Sequence, residues 1–210
     1  ESRGLGDVYK RQSKYTSENF NMKCTHPFNE LEGADKIAKY LWSPIKKSFK
    51  PIQRRMDIFY AGTNLVDNHS SKWVVNMGHL LGSFNNPFFG IEPTKKTVML
   101  WYCEFYKVEN NKITEGAFFL DILKFMQHLK LSVVPDSTGM VGFNPGPKTH
   151  DGLYFKKQRD EEGNKTLNLM MRMANRLIGE GMRTTVSDLE KDWHEDMIWW
   201  GPGGIGASYT

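Results

Sequence analysis

The stretch EGAFFLDILKFMQHL, residues 115–129, holds one carboxylate, Asp121, in a run of Phe, Leu, Ile and Met. An ionised carboxylate loses its hydration among such neighbours and is avoided there unless something uses it. Two uses fit the position. An Asp where a strand runs into a helix can accept backbone N–H bonds as an N-cap. An Asp in an apolar pocket has its pKa raised towards the working pH, which suits it to take and return protons. The choice is one of direction: the carboxylate faces a cavity beside His79 or caps the backbone of residues 122–124.

His79, in MGHLLG, is a lone histidine in an apolar strand, a place for a hydrogen-bonded core residue or for a second proton carrier. In TVMLWYCEFY, alternation puts Tyr102 and Glu104 on one strand face and Trp101 on the other. Tyr102 and Glu104 are polar candidates for a substrate pocket, Trp101 and Phe119 apolar ones. Other constellations carry less chemistry. Residues 149–151, THD, would need Ser137 or Thr138 to complete a triad, and no G-x-S-x-G elbow accompanies them. Residues 193–196, WHED, lack the second His one helical turn away that a metal site requires. GPGGIG, at 201–206, lacks the Lys-Ser/Thr of a phosphate loop and reads as a structural turn. No metal and no cofactor are expected.

The elements that must position these groups come from 210 residues, 39% hydrophobic and 13% aromatic, enough for a buried core in one or two domains. The formal charge of +4 is interspersed rather than gathered into a basic stripe, which argues against nucleic acid. Cys24 and Cys103 form no CxxC pair, as in a reducing compartment, so the cytoplasm is expected, and no apolar run suggests a membrane span.

Residues 33–49 show helical spacing interrupted by Pro44, which predicts two short helices. Residues 54–64 read as a short strand or tight helix ending at Gly62, and 71–84 as a strand. Residues 96–119 read as strand, turn and strand around Asn110-Asn111. Both faces of that hairpin carry bulk, which predicts a curved sheet with helices on one side and a lined concavity on the other. A Pro/Gly-rich segment follows, then a helix over 166–181 closed by Gly179 or Gly181, and a capping box of Ser187 and Glu190.

GHLLGSF, GIEPT, KVENNKITEGAFFLD and MQHL, in this order, resemble the SnoaL-like polyketide cyclases of the nuclear transport factor two-like superfamily; the likeness covers residues 33–131. It implies an α+β fold, a cone of curved antiparallel sheet with helices over its open side. It implies Asp121 as a general acid/base in a cofactor-free intramolecular aldol closure, with His79 polarising a carbonyl from the pocket wall, and Asn64 at the pocket rim. Lys95 and Lys130 stand in turns where the family usually has Gly.

The expected organisation is an adapter-like leader at 1–12, a lead-in at 13–32, a SnoaL-like domain at 33–135, a linker at 136–165 and the start of a second SnoaL-like domain at 166–210. The second copy rests on DIFYAG (57–62) and DMIWWG (196–201), each following an amphipathic helix, and on the likeness of the latter region to the opening of another such domain. The expected function is cofactor-free acid/base catalysis on a small carbonyl or polyketide-like substrate. Its alternatives are a non-catalytic ligand-binding or dimerisation domain and a dehydratase or epoxide hydrolase. The expected partners are a small-molecule substrate and, for assembly, a second copy in a homodimer or the second domain of the same chain, with no nucleic acid and no membrane.

Overall fold

The computed structural model describes residues 13–131, 133–135, 146–147, 149–206 and 208–209. The leader at 1–12 and the triad candidates Ser137 and Thr138 lie outside the described residues.

After β1 (Thr16–Cys24) and β2 (Glu30–Glu32) comes a helical run: α1 (Ala34–Ile37), a π turn (Ala38–Trp42) and α2 (Ser43–Ser48). Two helices separated at Pro44 were expected, but the run is continuous. Pro44 falls at the start of α2, and the wider π turn before it absorbs the hydrogen bond that proline cannot donate. β3 (Phe49–Thr63) is a 15-residue strand and passes through Gly62, longer than the sequence predicts. The cause is its partner, because β4 (Lys72–Phe84) offers a ladder from Phe49 opposite Phe84 to Thr63 opposite Lys72.

β5 (Thr97–Glu109) and β6 (Lys112–Leu120) form the expected hairpin. Its turn has φ of 50° at Asn110 and 59° at Asn111, the left-handed pair that matches strand twist. The six strands lie in the order β2-β1-β6-β5-β4-β3, antiparallel except for the parallel β1/β6 pair. The helical run covers the inner face of this sheet. Ile37, Leu41 and Ile45 from it are fully buried with Leu100, Tyr102 and Phe118 from the strands, and Trp42 packs edge-on to Phe118 at 5.4 Å. This is the α+β curved-sheet architecture expected from the sequence.

α3 (Ile122–His128) follows β6 after the single residue Asp121. Phe125 anchors it, packing 5.5 Å from Phe49 and 5.2 Å from Phe84 between ring centroids. The helix closes on a Schellman pair, Lys130 N–H to Gln127 and Leu131 N–H to Met126, with Lys130 at φ 61°. Lys95 also sits at positive φ, 60°. Both positions are left-handed, a conformation that glycine adopts at less cost than lysine.

α4 (Asp160–Glu180) starts earlier than expected, with Asp160, Glu161 and Glu162 complementing its N-terminal dipole, and ends at Gly181 with φ 57°. α5 (Val186–Leu189) is capped by Thr185 and Asp188, not by Ser187 and Glu190; the Ser187 hydroxyl instead lies 3.0 Å from that of Thr185. β7 (Trp199–Trp200) pairs with β8 (Ser208–Tyr209). DIFYAG therefore lies within a long strand, while DMIWWG contributes only the two residues of β7. Among the described residues no helix is long and apolar enough to cross a membrane.

A non-glycine residue in the left-handed region costs about 1 kcal/mol, part of which glycine gives back as unfolded-chain entropy. Lys130→Gly is therefore expected to raise stability by about 0.5 kcal/mol in urea denaturation, and a destabilised variant would contradict the Schellman geometry.

Candidate functional site

The β4/β5 ladder pairs His79 with Trp101 and Gly78 with Tyr102, which puts the candidates on opposite faces of the sheet. Tyr102 and Glu104 point to the inner face. Glu104, 1% exposed, pairs there with Arg54, and Asn76 donates to its other oxygen at 3.4 Å. Arg54 Nε donates to the Tyr102 hydroxyl at 3.2 Å, and that hydroxyl donates to the Asn76 side-chain oxygen at 3.3 Å. Arg54 also stacks over Tyr102, 4.7 Å from the ring centroid. A buried carboxylate demands such a set of partners. Nearby, a cavity of about 570 Å³ is lined by Trp42, Tyr106, Ile113 and the start of β1. Burial pushes the Tyr106 hydroxyl up to about 12, so it stays protonated.

The outer face carries His79 and Trp101, whose rings meet edge-on at 5.1 Å. His79 Nδ1 lies 3.0 Å from Asp57 Oδ2, both side chains 14% exposed. Gly146 sits against that carboxylate, where an added Cβ would be 2.5 Å from Asp57 Oδ1.

A larger cavity, about 670 Å³, opens on the same face. Met77, Trp101 and Phe119 form its sheet wall, Asp121 and Lys124 its helix wall, and Trp200 and Ile205 a third wall from the C-terminal segment. Trp200 packs on Trp101 at 5.6 Å, and Gln127 Nε2 donates to Gly204 O at 2.9 Å. The GPGGIG turn earns its glycines here. A Cβ on Gly204 would fall 2.4 Å from Lys124 N and 2.5 Å from Asp121 Oδ1, so only a bare backbone can approach.

Asp121 takes the cap reading and also stands on a wall of the cavity. Oδ1 accepts the Lys124 N–H at 3.0 Å as the N-cap of α3, Oδ2 accepts the Gly204 N–H at 3.0 Å, and the residue lines the cavity. His79 does not line that cavity; Trp101 does, its ring meeting that of His79 and its carbonyl accepting the Asp121 N–H at 2.9 Å. Of the sequence candidates, Asp121, Trp101 and Phe119 come together, and Tyr102 borders the cavity while its ring stacks on Phe118 across the sheet. Glu104 belongs to the inner network. Asn64 lies in the β3/β4 connection, where its side chain accepts the Val66 N–H at 3.0 Å as a turn cap.

Sequence reasoning missed Lys124 and Trp200. Lys124 is only 6% exposed, a rare burial for lysine, and nothing in its local pattern distinguishes it from a surface residue of α3. Its charge is felt nearby: burial and then Lys124 push the His128 imidazole below its ordinary range, against a smaller opposing effect of Asp121.

The structure thus defines a curved-sheet α+β domain with a small-molecule-sized cavity on its outer face. No family model matches the chain, and no curated protein does. Solved structures do. A protein from Jannaschia sp. CCS1 assigned as a SnoaL-like polyketide cyclase is 17% identical over 61% of this chain and 79% of its own, with a TM-score of 0.46. IdmH from Streptomyces antibioticus, assigned as a polyketide cyclase, is 11% identical over 60% of this chain and 94% of its own, at 0.48. AclR from Streptomyces galilaeus, assigned as a hydroxylase, is 17% identical over 63% and 82%, at 0.47. These neighbours include the SnoaL-like polyketide cyclases that the sequence resembles.

Two outcomes test this site. Gly204→Ala is expected to detach the C-terminal segment, red-shifting tryptophan emission as Trp200 leaves Trp101; an unchanged spectrum would mean that the segment is not held there. Burial also pushes the Cys103 thiol, on the cavity wall, and the Cys24 thiol up to about 11. At pH 8 only about one thiol in a thousand is then ionised, against about a quarter for an ordinary cysteine, so iodoacetamide should alkylate both slowly, accelerating about tenfold per pH unit towards pH 11.

Proposed function

We propose that this protein binds a small, largely apolar carbonyl compound, of polyketide-like size, in the outer-face cavity. The observation that carries this reading is the cavity itself: about 670 Å³, within the range of small-molecule sites, walled by Trp101, Phe119, Trp200 and other apolar groups, with few polar groups among them. The resemblance of residues 33–131 to SnoaL-like cyclases supports the same substrate class.

A second reading, cofactor-free acid/base turnover of the cyclase or isomerase type, rests on one observation, that the Asp121 carboxylate lines the same cavity. In that chemistry Asp121 takes a proton alpha to a substrate carbonyl, and the resulting enolate carbon attacks a second carbonyl of the same molecule. The protonated carboxyl then returns its proton to the new alkoxide. Each Asp121 oxygen already accepts one backbone N–H, and a carboxylate oxygen has a second lone pair for the substrate. These two caps favour binding as the first reading, because they give Asp121 a sufficient structural use.

Asp121→Asn separates the two. Asparagine keeps one acceptor and sets an N–H₂ against the other backbone donor, so a loss of about 1 kcal/mol in stability is expected with the fold retained. Affinity for a neutral naphthalene-sized ketone, read by tryptophan quenching, should stay close to wild type. Any aldol turnover that the wild type shows should vanish in the variant, and turnover that persists would remove Asp121 as the acid/base.

A further inference from the structure

Lys124 is a largely buried lysine in the wall of a mostly apolar cavity that it shares with the Asp121 carboxylate. It is 6% exposed, and its stem packs on the C-terminal segment, with a Cβ built on Gly203 3.5 Å from Lys124 Cδ and 3.6 Å from Cε. Among the described residues no carboxylate lies within ion-pair distance of its Nζ and no acceptor within hydrogen-bond distance. The nearest acid along the helix, Asp121, spends its oxygens on the N–H groups of Lys124 and Gly204 rather than on the ammonium. An ammonium at the wall of a cavity favours an anionic group supplied from that cavity, which it binds through a charge-assisted hydrogen bond. The depressed imidazole of His128, second in cause to burial, shows the Lys124 charge acting at this end of α3.

From this we infer that the outer-face cavity selects an amphipathic anion, an apolar ring or chain ending in a carboxylate or comparable oxyanion, with Lys124 as the residue that binds the charged end. Trp101 and Phe119 take the apolar body, and Lys124 sits on the helix wall opposite the sheet. Gly204 completes the arrangement, because its bare backbone lets the C-terminal segment approach the first turn of α3. The inference rests on the cavity being the ligand site.

The test compares 2-naphthoate with its neutral counterpart 2-acetonaphthone by tryptophan quenching, on the whole chain at pH 7.5. The wild type should bind the naphthoate about tenfold more tightly than the ketone, the ratio expected of one charge-assisted contact. Lys124→Met should abolish that preference, weakening naphthoate binding about tenfold more than ketone binding, and Lys124→Arg should retain it, with circular dichroism reporting whether each variant folds. Equal binding of the two probes by the wild type overturns the role of Lys124 and leaves the cavity reading standing. A preference that survives in Lys124→Met also overturns it. Failure of both probes to bind overturns both readings together.

Discussion

The site depends on the burial of one aromatic ring. Phe125 is completely buried among Phe49, Phe84 and Phe88, at the end of the inner core, and it is the residue that holds α3 against the sheet. Burying a phenylalanine contributes on the order of 2–3 kcal/mol, more than any single hydrogen bond at the site. Once Phe125 is fixed, the helix has no rotational freedom left. Lys124 then takes the neighbouring side of α3, and Asp121 stands where its first turn begins, its N–H bonded to Trp101 of β5. The cavity is a consequence of core packing on the opposite face of the sheet.

The two faces divide the labour. The inner face is closed by helices and spends its polar groups on itself: Arg54, Glu104, Tyr102 and Asn76 satisfy one another, and Tyr106 stays a protonated donor near about 12. A network that complete has little capacity to spare for a ligand. The outer face is closed only in part, by the loop at Gly146 over the His79 and Asp57 pair and by the C-terminal segment over Trp101. Lys124, with no ion-pair partner among the described residues, and half-exposed Phe119 are found there.

Much of this was legible in the sequence. The β5/β6 hairpin follows from Asn110-Asn111 between two strand-like runs, and the strand-to-helix join at Asp121 from the cap reading of that carboxylate. Lys95 and Lys130 could be placed in turns before their φ angles were known. What was not legible depends on partners distant in the chain. Nothing in residues 54–64 announces a 15-residue strand, because its length is set by β4. The faces of Tyr102 and Trp101 were separable by parity, but which face the helices would cover was not. Glu104 therefore read as a pocket residue, although Arg54, fifty positions earlier, pairs with it.

Asp121 shows why a cap and a binding-site residue are not exclusive. A carboxylate free to rotate in an apolar cavity would gain little order, whereas one held by two backbone N–H groups presents fixed lone pairs to whatever enters. The same two bonds place Gly204 against the helix terminus and so bring Trp200 to Trp101. An aspartate that would cost free energy in a dry core thus becomes the fastening point of the cavity's third wall. Its burial is tolerated because each oxygen is satisfied, and the lysine three residues later has, among the described residues, no ion-pair partner in that wall.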